Sequence, residues 1–206
     1  MTLPLCGRRR PEGMPSDERQ QAVSELPRDF YERIKDRLRE RIARELSFAR
    51  RVLDVGCGSC ELAGFLAEKN GRRVIGVDIA DHGFPDGSRL AQGVECHKAD
   101  ARKLGFVQDG TLDAVVSLYA LHEMERPVEV LREAHRVLRH GGEILVVDFP
   151  KHSLAERLWH ENYYTANEVT GMLGEAGFPD AECTGIAQGQ LIWARGLKQS
   201  KGKGGL

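Results

Sequence analysis

The 206-residue sequence predicts an α/β fold, a mostly parallel sheet with helices packed on both of its faces. Three observations predict it. Short runs that are apolar on both faces alternate with helical patterns through the middle of the chain, as a parallel sheet buried on both sides requires. The stretch RVLDVGCGSCELAGFLAE, residues 51 to 68, passes from a strand through a tight glycine turn into a helix, with Asp54 just before the turn. Near the end of the chain, DAECTGIA and GQLIWAR are separated only by a Gln188-Gly189 turn. So short a connection permits an antiparallel hairpin and excludes a parallel crossover.

Residues 1–24, rich in Pro, Gly, Arg and Glu and without an apolar period, predict a flexible arm. From Pro27, the residues Phe30, Ile34, Leu38, Ile42 and Leu46 recur every four positions among charges. That spacing specifies one amphipathic helix within 25–50, expected to pack its apolar stripe on the domain's flank, with its beginning free to cover a pocket. A cofactor-binding core over 51–149 follows, with strands at VLDV, RVIGVD, VECHKAD, LDAVVSLYA and GGEILVVDF. One intervening helix carries Leu62, Phe65 and Leu66; another runs from Pro127 to Leu138. Residues 150–177 predict a short lid and a helix from Thr165 to Ala176, residues 178–197 the hairpin, and residues 198–206 a disordered tail. The span 25–197 is then a single domain, long enough to bury a sizeable core.

Lysine and arginine (30) nearly cancel aspartate and glutamate (31), so the net charge of -1 makes no case for nucleic acid or an anionic membrane. No apolar run approaches the ~20 residues of a membrane span. The basic cluster Arg8 to Arg10 follows a very short apolar start, the wrong order for a secretory signal, and a cytoplasmic location is expected. Cys6, Cys57, Cys60, Cys96 and Cys183 lack secreted-scaffold spacing and are expected as reduced thiols. Cys57 and Cys60 spell CxxC, but no second such pair or histidine pair accompanies them, so no metal is expected.

In an open parallel sheet the ligand lies beyond the carboxyl ends of the strands. Those ends carry Asp54, Asp78, Asp100, Tyr119 with His122 and Glu123, and Asp148 with Phe149. Two nucleotide-type ligands compete for the glycine turn. A dinucleotide fingerprint needs glycine at position 61, where Glu61 stands and opposes a pyrophosphate. Asp54, two residues before the first glycine, repels an anionic cofactor and suits one carrying an ammonium and a sulfonium. S-adenosylmethionine carries both.

Here the residues resemble a known family, the class I S-adenosylmethionine-dependent methyltransferases, over roughly Val52 to Arg195. DVGCGSC looks like the family's DxGxGxG turn, Asp78 like its ribose-binding acid, KADARKLGF like the adenine-contacting segment, and LREAHRVLRHGGEILVVDF like the helix and strand that follow. The resemblance implies a three-layer Rossmann-like sandwich with a seven-stranded sheet, order 3-2-1-4-5-7-6, and the last strand antiparallel. It also implies S-adenosyl-L-methionine as cofactor, with S-adenosyl-L-homocysteine as product. Asp54 would hold the methionyl ammonium beside Gly56, Cys57 and Gly58; Asp78 and Ile79 would take the ribose, Asp100 and Ala101 the adenine, and Leu118 or Tyr119 would lie near the methyl. Cys60 departs from the pattern, standing where the family's third glycine is expected.

A base is needed only if the acceptor carries a proton at neutral pH. His122, at a strand end, is the catalytic candidate beside Tyr119, with a capping or structural role as its alternative. His135 is expected to pack. The (D/N)PP(Y/F/W) tetrapeptide of methyltransferases acting on amino groups of bases or on glutamine amides is absent from SLYALHEM, which speaks against those substrates. The modest lid points to a small-molecule acceptor, with Glu123, Trp159, His160, Tyr163 and Tyr164 as candidates for its pocket, in a monomer or homodimer. The alternatives are an NAD-dependent oxidoreductase and a non-catalytic S-adenosylmethionine-binding partner protein. Asp78→Ala is expected to weaken S-adenosylhomocysteine binding at least about tenfold in calorimetry, the value of one charged hydrogen-bonding group.

Overall fold

Val52 and Leu53 are neighbours on one strand, yet both are fully buried, because they face opposite sides of the sheet into two separate cores. The structure, a computed structural model, describes residues 26–81, 83–86 and 90–200. The arm expected over residues 1–24 lies outside them. In chain order the elements are α1 (Phe30–Glu45), β1 (Arg51–Val55), α2 (Glu61–Asn70), β2 (Arg73–Asp78), β3 (Val94–Lys98), β4 (Leu112–Leu118), α3 (Pro127–Val137), β5 (Leu138–Asp148), α4 (Leu154–Trp159), α5 (Ala166–Glu175), β6 (Glu182–Ile186) and β7 (Leu191–Leu197). The sheet runs β3-β2-β1-β4-β5-β7-β6. β3, β2, β1, β4 and β5 pair in parallel, and β7 is antiparallel to both of its neighbours. Order and reversed strand are those expected.

Ile42 and Leu46 at the end of α1, Leu66 of α2, and Val116 and Val147 of the sheet fill one core. Leu131 of α3, Leu173 of α5 and Phe178 fill the other, with Val115 and Val146 beneath them. His135 packs its ring edge-on against Phe178, as expected of it. α5 is closed at its start by a capping box in which Thr165 and Glu168 exchange hydrogen bonds.

Three boundaries differ from expectation. β5 begins at Leu138, because the chain extends directly from α3 and is irregular between the pairs Leu112–Leu138 and Ala114–Glu143. The hairpin connection is Ala187 to Gln190, where the Gln188-Gly189 pattern suggests only two residues. Ala187, Gln188 and Gly189 all take positive φ there, and the Gln190 side chain accepts from the Leu154 amide at 2.7 Å, which pins α4. The expected disordered tail starts with an anchored residue, since Lys198 Nζ donates to the carbonyls of His135 and Leu138, each at 2.7 Å. Residues 201–206 lie outside the described ones.

The cysteines require a correction. Cys60 and Cys96 form a disulfide, while Cys57 and Cys183 are free, so the expectation of reduced thiols fails for one pair. Parallel pairing places Cys96 opposite Gly76. A Cβ added to Gly76 would lie 2.8 Å from Cys60 Sγ and 2.9 Å from Cys57 Sγ, so the missing side chain on β2 is the space that the sulfurs occupy. Cys60, at φ +58°, is left-handed where a glycine is expected, and its bond to β3 holds it there. Gly76→Ala should lower stability by about 1–3 kcal/mol through overpacking beneath the glycine turn, measured by chemical denaturation.

Candidate functional site

Two cavities meet at the carboxyl end of β1. The first, of about 340 Å³, lies between α1, the turn after β1, and α4; the second, of about 390 Å³, lies over the ends of β2 and β3. Gly56, Gly58 and Tyr119 line both. Gly56 takes φ +71°, and a Cβ there would come within 2.3 Å of Ala120 Cβ, so only glycine lets the turn approach the end of β4 so closely.

Asp54, Gly56, Cys57, Gly58 and Leu118 wall the first cavity, and Gly56, Gly58, Asp78, Ile79, Asp100 and Ala101 wall the second. The residues expected to hold the cofactor are thus brought together. Asp54 is 1% exposed, and its Oδ2 has no hydrogen-bond partner among the described residues. Burial raises its pKa to about 7, against the Ala63 amide, which lowers it, and with the charge of Asp78 adding to the rise. Such a group favours a cationic ligand. Asp78 takes the Gly58 amide on one oxygen at 2.9 Å and the Ala80 amide on the other at 3.0 Å, so it also shapes the turn. Asp100 is gripped on both oxygens by the Arg102 guanidinium at 2.8 to 3.0 Å. Cys57 is no nucleophile at neutral pH, since burial with the nearby Asp54 and Asp78 pushes its thiol up to about 12.

The wall opposite the turn is aromatic. Phe149 stacks on Tyr119 at 4.4 Å and meets Tyr31 at 4.9 Å and Trp159 at 5.1 Å, while Tyr31 stacks on Trp159 at 5.4 Å. Tyr119 stands at φ +58° at the end of β4, which turns its ring into the partition between the cavities. Its buried hydroxyl has no partner among the described residues, and burial drives its pKa well above the ordinary value, so the phenol stays protonated.

Of the five substrate candidates, Trp159 lines the first cavity and Glu123 the second. His160 is exposed, Tyr163 is buried against Phe149 and His122, and Tyr164 is partly buried in the core beneath α5; none of the three lines either cavity. α1 contributes Tyr31, Glu32, Lys35, Leu38 and Arg39 to the first. The four-residue period of that helix identified its buried stripe, and Tyr31 lies one residue off it. Lys35 and Arg39 pair with Glu61 and hold its carboxyl below the usual range. Glu61 stays ionised, but the two cations offset its charge and weaken its repulsion of a pyrophosphate.

His122 lines neither cavity. Its side chain is 4% exposed, with Nδ1 2.7 Å from Asp148 Oδ1 and Nε2 3.1 Å from Glu161 Oε2. A neutral imidazole has one donor and one acceptor nitrogen, so carboxylate oxygens at both favour the imidazolium, which donates from each. Burial opposes that charge, but the hydrogen bond and charge of Asp148, with Glu123 and Glu161, outweigh it and raise the pKa above the ordinary 6.5. The donor atoms of His122, Glu123 and Glu161 lie within 4.8 Å of one another, so the ring sits in a cluster of carboxylates. The catalytic role expected of His122 gains no contact with either cavity, since the ring lines neither and carboxylates take both of its nitrogens.

A seven-stranded sheet in this order, with a reversed β7 and a glycine turn beside a buried carboxylate at the end of β1, defines the class I methyltransferase fold. Residues 53–146 match the family model described as a methyltransferase domain. The chain is 33% identical over 125 residues to methyltransferase GfsG of Streptomyces halstedii, covering 57% of this chain and 43% of that protein. It is 30% identical over 167 residues to the S-adenosyl-L-methionine-dependent Diels-Alderase iccD of Talaromyces variabilis, covering 68% of this chain and 57% of that protein. The chain spans about half the length of these curated relatives. A crystal structure of the cyclase SpnF shares the fold, with a TM-score of 0.67 at 22% identity over 80% of each chain. Residues 53–146 belong to the methyltransferase-domain family, and the fold around them is that of the class I S-adenosylmethionine-dependent methyltransferases. S-adenosylmethionine is the cofactor of that family, and the unpartnered Asp54 oxygen fits its ammonium.

Asp54→Asn separates folding from binding. Because burial raises the Asp54 pKa from 3.8 to about 7, its carboxyl favours the folded state below the lower value, and that contribution is lost as pH rises through the upper one. The variant should therefore melt higher than the parent at alkaline pH without cofactor, by about 2–4 °C for each kcal/mol recovered. In calorimetry it should bind S-adenosylhomocysteine at least about tenfold more weakly, having lost a charge-assisted contact.

Proposed function

We propose that this protein transfers a methyl group from S-adenosylmethionine to a small-molecule acceptor held in the first cavity. The observation that carries this proposal is the Asp54 carboxyl beside the glycine turn, whose Oδ2 is buried at the cavity wall and has no hydrogen-bond partner among the described residues. S-adenosylmethionine supplies a methyl group already activated on a sulfonium, so alignment and exclusion of water provide much of the acceleration.

In this proposal Asp54 holds the ammonium, and Lys35 and Arg39 on α1 stand at the same cavity, where a ligand carboxylate would share them with Glu61. Asp78, Ile79, Asp100 and Ala101 receive the nucleoside in the second cavity. Tyr31, Phe149 and Trp159 suit an acceptor with a flat apolar body, which they hold by stacking and edge contacts. The Tyr119 hydroxyl, protonated and unpartnered, donates to the acceptor at the partition between the cavities and so orients it. With His122 occupied elsewhere, a protonated acceptor would turn to Glu32, a carboxylate of the same cavity wall.

A second reading is a cofactor-dependent cyclisation without methyl transfer. It is favoured by the aromatic wall together with the enclosed His122, and it is the chemistry that the names of two of the proteins compared above describe. A screen of mixed metabolite extracts with radiolabelled methyl donor separates the two, since a cyclisation leaves no label in the product. Tyr119→Phe should lower methyl transfer about tenfold, the value of one hydrogen bond to the acceptor, while S-adenosylhomocysteine affinity in calorimetry stays unchanged.

A further inference from the structure

His122 joins three separate pieces of chain. It sits in the short 3₁₀ turn Leu121–Glu123, reaches the end of β5 through Asp148, and reaches the segment after α4 through Glu161. Asp148 is 2% exposed, and it also accepts the backbone amides of His122 at 3.0 Å and Phe149 at 2.8 Å, so this end of the cluster is fixed to the sheet. The other end is at the surface. α4 finishes with His160 donating to the Glu156 carbonyl, and the chain is next held to β5's end by the bridge between Pro150 and Tyr164. Between those points Glu161 supplies a side-chain attachment inward, to His122 Nε2 and to the Tyr163 hydroxyl, each at 3.1 Å. The residue at the start of this stretch is Trp159, whose ring lies on Tyr31 and Phe149 at the first cavity.

We propose that His122 is a positioning residue, an imidazolium that braces Asp148 against Glu161 and holds the stretch from Trp159 to Asn162 over the first cavity, and that the brace releases when the ring loses a proton. The assignment of that cavity to the methyl acceptor is the reading given above, and the consequence for catalysis rests on it; the brace itself does not. On deprotonation the Nδ1 hydrogen stays with the buried Asp148. Nε2 then presents a lone pair to Glu161 Oε2, and two acceptors at hydrogen-bonding distance repel each other. The groups facing the ring are Asp148 from β5, Glu123 from its own turn, and Glu161 and Tyr163 from the segment after α4. All three carboxylates favour the imidazolium, and together they overcome its burial. The brace is therefore complete below pH 6.5 and is lost as pH rises through the higher folded-state value.

Iodide quenching of tryptophan fluorescence tests this without any acceptor, so the result is independent of what the cavity takes. The chain has two tryptophans; Trp193 is 4% exposed and Trp159 47%, so the quenching reports Trp159. Titrated from about pH 6 to about pH 9, across the range in which a histidine with raised pKa loses its proton, quenching should rise through one single-proton transition. Glu161→Gln should abolish the transition and keep the low-quenching state throughout, because the amide N–H donates to the neutral Nε2. A flat profile in the parent protein overturns the proposal, and so does a transition that survives in Glu161→Gln. Suppression of the alkaline change by manganese chloride alone also overturns it, because a cation rather than a proton would then join His122 to Glu161.

Discussion

A buried carboxyl oxygen without a partner opposes folding, and at the end of β1 Asp54 Oδ2 is such an atom among the described residues. The neighbouring features are arranged around keeping it there. Gly56 lets the turn lie against Ala120, Asp78 fixes the turn by taking the Gly58 and Ala80 amides, and Cys60 closes it onto β3. With the negative charge held in place by strand and turn, a cationic ligand gains what folding alone leaves unsatisfied. The partition by Tyr119 then divides the space into two cavities, so one turn serves both.

Charge also explains why groups that look alike at successive strand ends part company in three dimensions. Tyr119 and His122 stand three residues apart after the same strand. The left-handed backbone at Tyr119 sends its ring toward the cavities, while the 3₁₀ turn that follows carries His122 to the far side of Phe149, where Asp148 and Glu161 enclose it. Phe149 thus forms the aromatic wall on one side and touches the ion-pair cluster on the other. The acceptor cavity and the cluster share this residue and the segment that bears Trp159.

Local chemistry in the chain was enough for the sheet, its order by resemblance, and the cofactor turn. Strands apolar on both faces have one stable environment, and a glycine turn preceded by aspartate has one favoured ligand charge; both facts are carried by adjacent residues. Asp54, Gly56, Asp78, Asp100 and Tyr119 were legible for that reason, since strand ends in a parallel sheet converge whatever else the fold does.

Contacts between distant segments were decided by the tertiary structure alone. Cys60 and Cys96 are 36 residues apart, and only the register that sets Cys96 opposite Gly76 brings them into bonding distance. Glu61 reads as a repulsive charge until α1 lays Lys35 and Arg39 against it. His122 reads as a free base until β5 and the segment after α4 supply carboxylates to both of its nitrogens. In each case the side chain is visible in the sequence while its partner's charge or position is not. The protonation and bonding state of a group depend on what lies within a few ångströms of it, and across separate elements that is fixed by packing. What the sequence determined by itself was the turn at Asp54 and the sheet that presents it.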